Sequence, residues 1–205
     1  MFKSKYVTSV ATGVVLASSI FMGSTALAAK NFTDLNSDPS HAVGVKYLNS
    51  LDVFDYKEGN KLNGHAQVSR AEVAKVLHNL YGNDIAPERK YSNNLKDVNS
   101  KTKFYADIVW AYESKIFDGD SNGNFNPNQT LTRAQMAKVL VNAFLLDTKG
   151  TASFKDVPKN HWASEYINIL GAEGISVGSN GNFMPEQKVT LNQLSTFIER
   201  IISKY

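Results

Sequence analysis

One short pattern occurs three times in this chain and sets the register for everything else. It reads Val68-Ser69-Arg70-Ala71-Glu72, Leu131-Thr132-Arg133-Ala134-Gln135 and Val189-Thr190-Leu191-Asn192-Gln193. In each copy a hydroxyl residue is followed three positions later by Glu or Gln. That spacing is a capping box, in which the two side chains satisfy orphan backbone N–H groups at a helix start. Ser69 with Glu72, Thr132 with Gln135 and Thr190 with Gln193 are therefore expected to be structural caps. Behind each box runs an apolar stripe at helical spacing: Val73, Val76, Leu77 and Leu80; Met136, Val139, Leu140 and Ala143; Leu194, Phe197, Ile198 and Ile201. Three copies of one amphipathic helix follow.

The rest of the chain falls into the same register. Phe32, Leu95 and Phe154 each stand two before an aspartate, and Asp34 to Ser69, Asp97 to Thr132 and Asp156 to Thr190 span 35, 35 and 34 residues. The repeats are 30–82, 91–146 and 151–205, joined by the polar stretches Asn83 to Lys90 and Asp147 to Thr151. A second helix is expected after each aspartate, clearest where Trp162, Tyr166, Ile169 and Leu170 share a face. Then comes a turn-rich loop: Gly123-Asn124-Phe125-Asn126-Pro127, Gly181-Asn182-Phe183-Met184-Pro185, and Gly59-Asn60-Lys61-Leu62 with Gly64 in place of the proline. The Gly-Asn pair favours a tight turn, the apolar residue beyond it can plug the core, and proline blocks helix until the next cap. The predicted class is mostly α, three helix-loop-helix repeats. A repeat this small cannot bury both stripes alone, so the three are expected to pack together, either closed as a pseudo-threefold or in an open stack.

Before the repeats, residues 1–29 read as a secretory signal peptide, with Lys3 and Lys5, an apolar centre and Ala26-Leu27-Ala28 for cleavage. The apolar centre is broken by Thr12, Gly13, Ser18, Ser19 and Gly23, too short and polar to span a bilayer, and no later stretch could span one. Of 22 basic residues against 19 acidic, the two signal lysines would be lost on export, leaving almost no net charge. That argues against a nucleic-acid partner held by a broad basic face. There is no cysteine, hence no disulfide and no acylated thiol for a lipid anchor. An exported chain without a built-in anchor is expected to diffuse away or to bind a surface non-covalently.

The residues that carry the repeat also match a known pattern. Phe154, Asp156, Trp162-Ala163, Gly174-Ile175, Gly181 to Pro185, and the Ser69-Arg70-Ala71-Glu72 and Thr132-Arg133-Ala134-Gln135 motifs resemble the S-layer homology (SLH) domain, across essentially the whole mature chain. The resemblance implies one pseudo-threefold module in which a helix from each repeat joins a central three-helix bundle, with ligand grooves between neighbouring repeats. It implies a secreted protein held at the cell wall or S-layer surface of a bacterium with a Gram-positive type wall. The implied partner is secondary cell wall polymer, often ending in a pyruvate ketal on N-acetylmannosamine. An S-layer or other surface protein is a further candidate partner. The module is expected to be non-enzymatic; the rival readings are a small wall-polysaccharide hydrolase and a protein-interaction module.

The chemistry of the residues agrees with an acidic ligand. A helix N-terminus with free N–H groups and a positive dipole end receives a carboxylate well, and an arginine adds a planar two-pronged donor. Arg70 and Arg133 stand there against the helix dipole, so local stability does not explain them, and they are the candidate carboxylate-binding residues. Trp162, with Phe104 or Tyr105 as its positional counterpart, and the loop glycines Gly119 and Gly178 are candidate groove walls for a sugar. Leu191 replaces the arginine in repeat three, and repeat one has His41 in the tryptophan position. At most two competent grooves are expected, with the one at Leu191 degenerate.

Three other patterns are set aside. Asp118 to Gly123 imitates the start of an EF-hand loop, but Gln129 stands where the bidentate glutamate is needed. Gly174-Ile175-Ser176-Val177-Gly178 has the form of a nucleophile elbow without the helix that must follow it. His41, His65, His78 and His161 show no ligand spacing. No metal, cofactor or catalytic residue is expected.

Overall fold

The computed structural model describes residues 29–81 and 94–205. The signal peptide up to residue 28 and the linker Asn83 to Lys90 lie outside the described residues. Among the described residues there are six α-helices: α1 Ala42–Ser50, α2 Arg70–Tyr81, α3 Tyr105–Glu113, α4 Arg133–Phe144, α5 Ser164–Ala172 and α6 Leu191–Ile202. Among these residues extended backbone pairs only as isolated bridges. The architecture is mostly α, helix, loop and helix in each repeat, as expected.

The register of the repeats is strict. Asp34, Asp97 and Asp156 precede the first residues of α1, α3 and α5, Ala42, Tyr105 and Ser164, by eight positions each. Trp162 therefore corresponds to Lys103 and Ser40, two residues ahead of the helix, and not to Phe104, Tyr105 or His41. His41 instead holds the N-cap position of α1, where its Nδ1 lies 2.7 Å from Thr196 Oγ1. Each aspartate clamps its own loop. Asp34 accepts the N–H groups of Leu62 and Asn63, Asp97 those of Phe125 and Asn126, and Asp156 those of Phe183 and Met184, all between 2.7 and 2.9 Å. In each pair the second residue has a left-handed backbone, with φ of 57° to 61°, which turns two successive N–H groups onto one carboxylate. The first of each pair, Leu62, Phe125 or Phe183, is buried as the predicted plug.

The described residues form two compact units, one within His65–Leu191 and the other made of 29–64 with Asn192–Tyr205. In the first unit α2 packs on α3 and α4 on α5, so the second helix of one repeat meets the first helix of the next. Between α2 and α3, His78 stacks on buried Trp110 with ring centres 4.6 Å apart and pairs with Asp107 at 2.8 Å. The residues just ahead of the three capping boxes bond in a closed cycle: Val68 N to Val189 O at 3.0 Å, Leu131 N to Val68 O at 3.3 Å, and Val189 N to Leu131 O at 3.0 Å. All three side chains are fully buried. The three segments thus satisfy one another's backbone groups, a closed rather than an open arrangement at this point.

In the second unit α1 and α6 cross at Gly44, where a Cβ would stand 2.8 Å from the Ser195 backbone. Gly64 likewise makes room for Asn192, whose Oδ1 would be 1.8 Å from a Cβ at that position.

Candidate functional site

The expected capping box is seen whole at one helix and in part at a second. Thr132 and Gln135 form the complete reciprocal box at α4. At α2, Ser69 Oγ accepts from Glu72 N at 3.2 Å. Thr190 stands just ahead of α6 in a bridge with Gln67, and Gln193 lies in the first turn of that helix.

The remaining N–H groups at these helix starts are not free. Arg70 N bonds to Gln129 O at 2.9 Å and Ala71 N to Pro127 O at 3.0 Å; at α4, Arg133 N bonds to Gln187 O and Ala134 N to Pro185 O. The loop of the next repeat has taken the place that a ligand anion would occupy. The expected anion seat on bare helix N–H groups is therefore absent, and any acid must be met by side chains.

The two arginines stand at the same position and lie in different surroundings. Arg70 donates from Nε to Phe125 O at 2.6 Å and from Nη2 to Asp118 O at 2.7 Å, with its guanidinium 4.9 Å and 4.6 Å from the rings of Phe117 and Phe125. It lines an open pocket of about 250 Å³. Its Nη1 has no hydrogen-bond partner among the described residues. Burial lowers its pKa while Asp118, Asp97 and Asp120 raise it, and the net shift is downward. An arginine guanidinium remains protonated in proteins at neutral pH. Arg133 makes the corresponding bond to Phe183 O at 2.7 Å, but its Nη2 donates to Ser176 Oγ at 2.9 Å. Only 6% of it is exposed. By helix register Ser176 stands where repeat two has Phe117, and there it draws the second guanidinium inward.

Around Arg70 the pocket is closed by Asp118, Gly119, Gln129, Gln135, Lys138 and Trp162. Trp162 is 57% exposed, a large aromatic residue left to solvent, as a sugar platform requires. Predicted site residues Arg70, Gly119 and Trp162 are thus brought together, with the cap residue Gln135. Phe104 and Tyr105 do not line this pocket. Phe104 holds the N-cap of α3 with φ 61°, and Tyr105 begins that helix. Gly178 belongs to a turn: its φ is +67°, and a Cβ there would stand 2.2 Å from Asn182 O. Leu191 is buried at the start of α6. Lys138 was not legible from sequence, because a polar residue on a helical stripe reads only as solvent-facing.

Asp120, singled out above in the calcium-like pattern, is spent on its own loop. It accepts from Asn122 N, Asn124 N and Asn126 Nδ2 at 2.9 Å each. The Asn124 and Asn126 bonds lead the effects that push its carboxyl down to about 2.

Comparison with known sequences fits this geometry. The S-layer homology domain matches the chain three times, at residues 31–74, 94–137 and 153–193. The chain belongs to the S-layer homology domain family. The three SLH matches coincide with the three aspartate-to-cap spans that fix the fold. A surface-layer 125 kDa protein of Lysinibacillus sphaericus is 31% identical over 204 residues, 97% of this chain and 17% of that protein. The S-layer protein sap of Bacillus anthracis is 31% identical over 180 residues, 85% of this chain and 22% of that one. An uncharacterized cell wall amidase of Bacillus anthracis is 28% identical over 192 residues, 91% and 35% of the two chains. This SLH chain thus spans about a fifth of the length of the first two relatives. Family membership places it among cell-surface modules. Among the described residues no helix is long and apolar enough to cross a membrane.

Proposed function

We propose that this chain attaches non-covalently to the bacterial cell wall by seating an acidic group of the secondary wall polysaccharide on Arg70. The observation that carries the reading is the state of that guanidinium. Two of its donors are fixed to Phe125 and Asp118, its face is backed by two aromatic rings, and it lines an open pocket beside exposed Trp162. A planar cation held in one orientation loses little entropy when a carboxylate docks on its remaining edge. The pyruvate ketal of wall polymer presents such a carboxylate on a sugar ring, which Trp162 can stack. The wall is of Gram-positive type, and the site acts without catalysis.

Co-sedimentation of the mature protein with purified walls, before and after mild acid removal of ketal-linked pyruvate, tests the reading. Retention is expected to fall on treated walls. Equal retention on both contradicts the carboxylate mechanism.

A further inference from the structure

The lining of the Arg70 pocket carries a second cation, Lys138, which is paired with an acid of the same lining. Lys138, on α4, meets Asp118 Oδ2 with Nζ at 2.6 Å, and the two side chains are 34% and 60% exposed. The backbone carbonyl of the same Asp118 accepts from Arg70 Nη2 at 2.7 Å. One residue thus engages both cations of the pocket, its main chain on Arg70 and its side chain on Lys138. The lining carries Arg70 and Lys138 against Asp118 and Asp120, so its formal charges cancel. Asp120 is occupied within its own loop. That leaves Asp118 as the lining acid that holds a cation.

Building the loop does not require this acid. In repeat three the matching position is Val177, which is 66% exposed, and the position on α6 matching Lys138 is Thr196. The ion pair is therefore an addition to the pocket rather than part of the fold. An exposed pair of this kind is worth little by itself, so a competing carboxylate can displace it at small cost.

We infer that Asp118 is an internal competitor for the ligand's acid: its carboxylate occupies Lys138 in the free protein, and the polymer's carboxylate displaces it. Arg70 orients the ligand acid, while Lys138 adds its charge once Asp118 swings away. Asp118 then sets a threshold. A ligand without a carboxylate leaves the pair closed and gains nothing from Lys138, so the acidic and acid-free forms of one polymer are separated more sharply. This inference rests on the polysaccharide reading above.

The test uses the full mature chain, with walls purified from a Bacillus species, native or treated with mild acid to remove ketal-linked pyruvate. Asp118→Asn, and Asp118→Val on the precedent of Val177, should bind native walls about fivefold to tenfold more tightly than wild type. Binding to treated walls should not change. Adding Lys138→Met to Asp118→Asn should abolish the gain. An Asp118→Asn protein that melts like wild type but binds native walls no more tightly overturns the inference alone. So does an equal gain on treated walls. A wild-type protein that retains no preference for native walls overturns the polysaccharide reading and this inference with it.

Discussion

Arg70 and Arg133 show how one motif position comes to serve two ends. Both make the same Nε bond to the carbonyl of the loop plug, Phe125 or Phe183. What separates them is the residue beneath, Phe117 under the first and Ser176 under the second. Arg133→Ala strips the donors from a buried carbonyl and hydroxyl, and should cost about 2 to 4 kcal/mol of stability by denaturant melts. Arg70→Ala should cost less stability. Both arginines were placed at the first helical turn by sequence alone. Their difference was not legible, because the sequence aligns Ser176 with Phe117 but does not show that either residue meets the arginine. The aspartates also act at this scale. Burial raises the carboxyl pKa of Asp34 and Asp156, yet the backbone N–H bonds together outweigh it and both end below 3.8. Asp156→Asn, which cannot accept both bonds on equal terms, should cost about 1.5 to 3 kcal/mol in the same melts.

At the scale of the element, the capping box and the loop that meets it form one joint. Thr132→Ala should cost about 1 kcal/mol in thermal melts, since it frees the Gln135 N–H. The joint comes in two sizes. Ala71 and Ala134 donate to Pro127 and Pro185, whereas Asn192 donates to Gly64. The missing proline at Gly64, a departure when the loop is considered alone, is matched by the larger residue across the joint. Gly64→Ala should therefore destabilise the protein by about 1 to 3 kcal/mol. Asn192→Ala in the same chain should recover most of that loss, a coupling that a double-mutant cycle reads directly. Helix positions and caps were legible because they depend on residues three and four apart. The joint was not, because it pairs residues more than fifty positions apart.

For the whole molecule, acid sensitivity follows from the loop clamps. A carboxyl with a lowered folded-state pKa stabilises the protein fully above its unfolded value, near 3.8, and loses that contribution as pH falls through its folded value. Asp34 and Asp156 lie below 3.8 and Asp120 is pushed down to about 2. The melting temperature should therefore be flat above about pH 5 and fall steadily between about pH 4 and pH 2. A melting temperature constant through that window would contradict the clamp account. The threefold repetition was legible in the spacings, but the closed cycle of Val68, Leu131 and Val189 was not. Backbone bonds leave no mark on residue identity. The central claim is that the Arg70 guanidinium carries recognition of the wall, and the Kd of Arg70→Ala for native walls at fixed salt tests it most directly. Loss of the guanidinium that meets the ligand's acid should raise that Kd by about thirtyfold or more, with the fold intact. A folded Arg70→Ala protein that binds native walls as tightly as wild type would contradict the account.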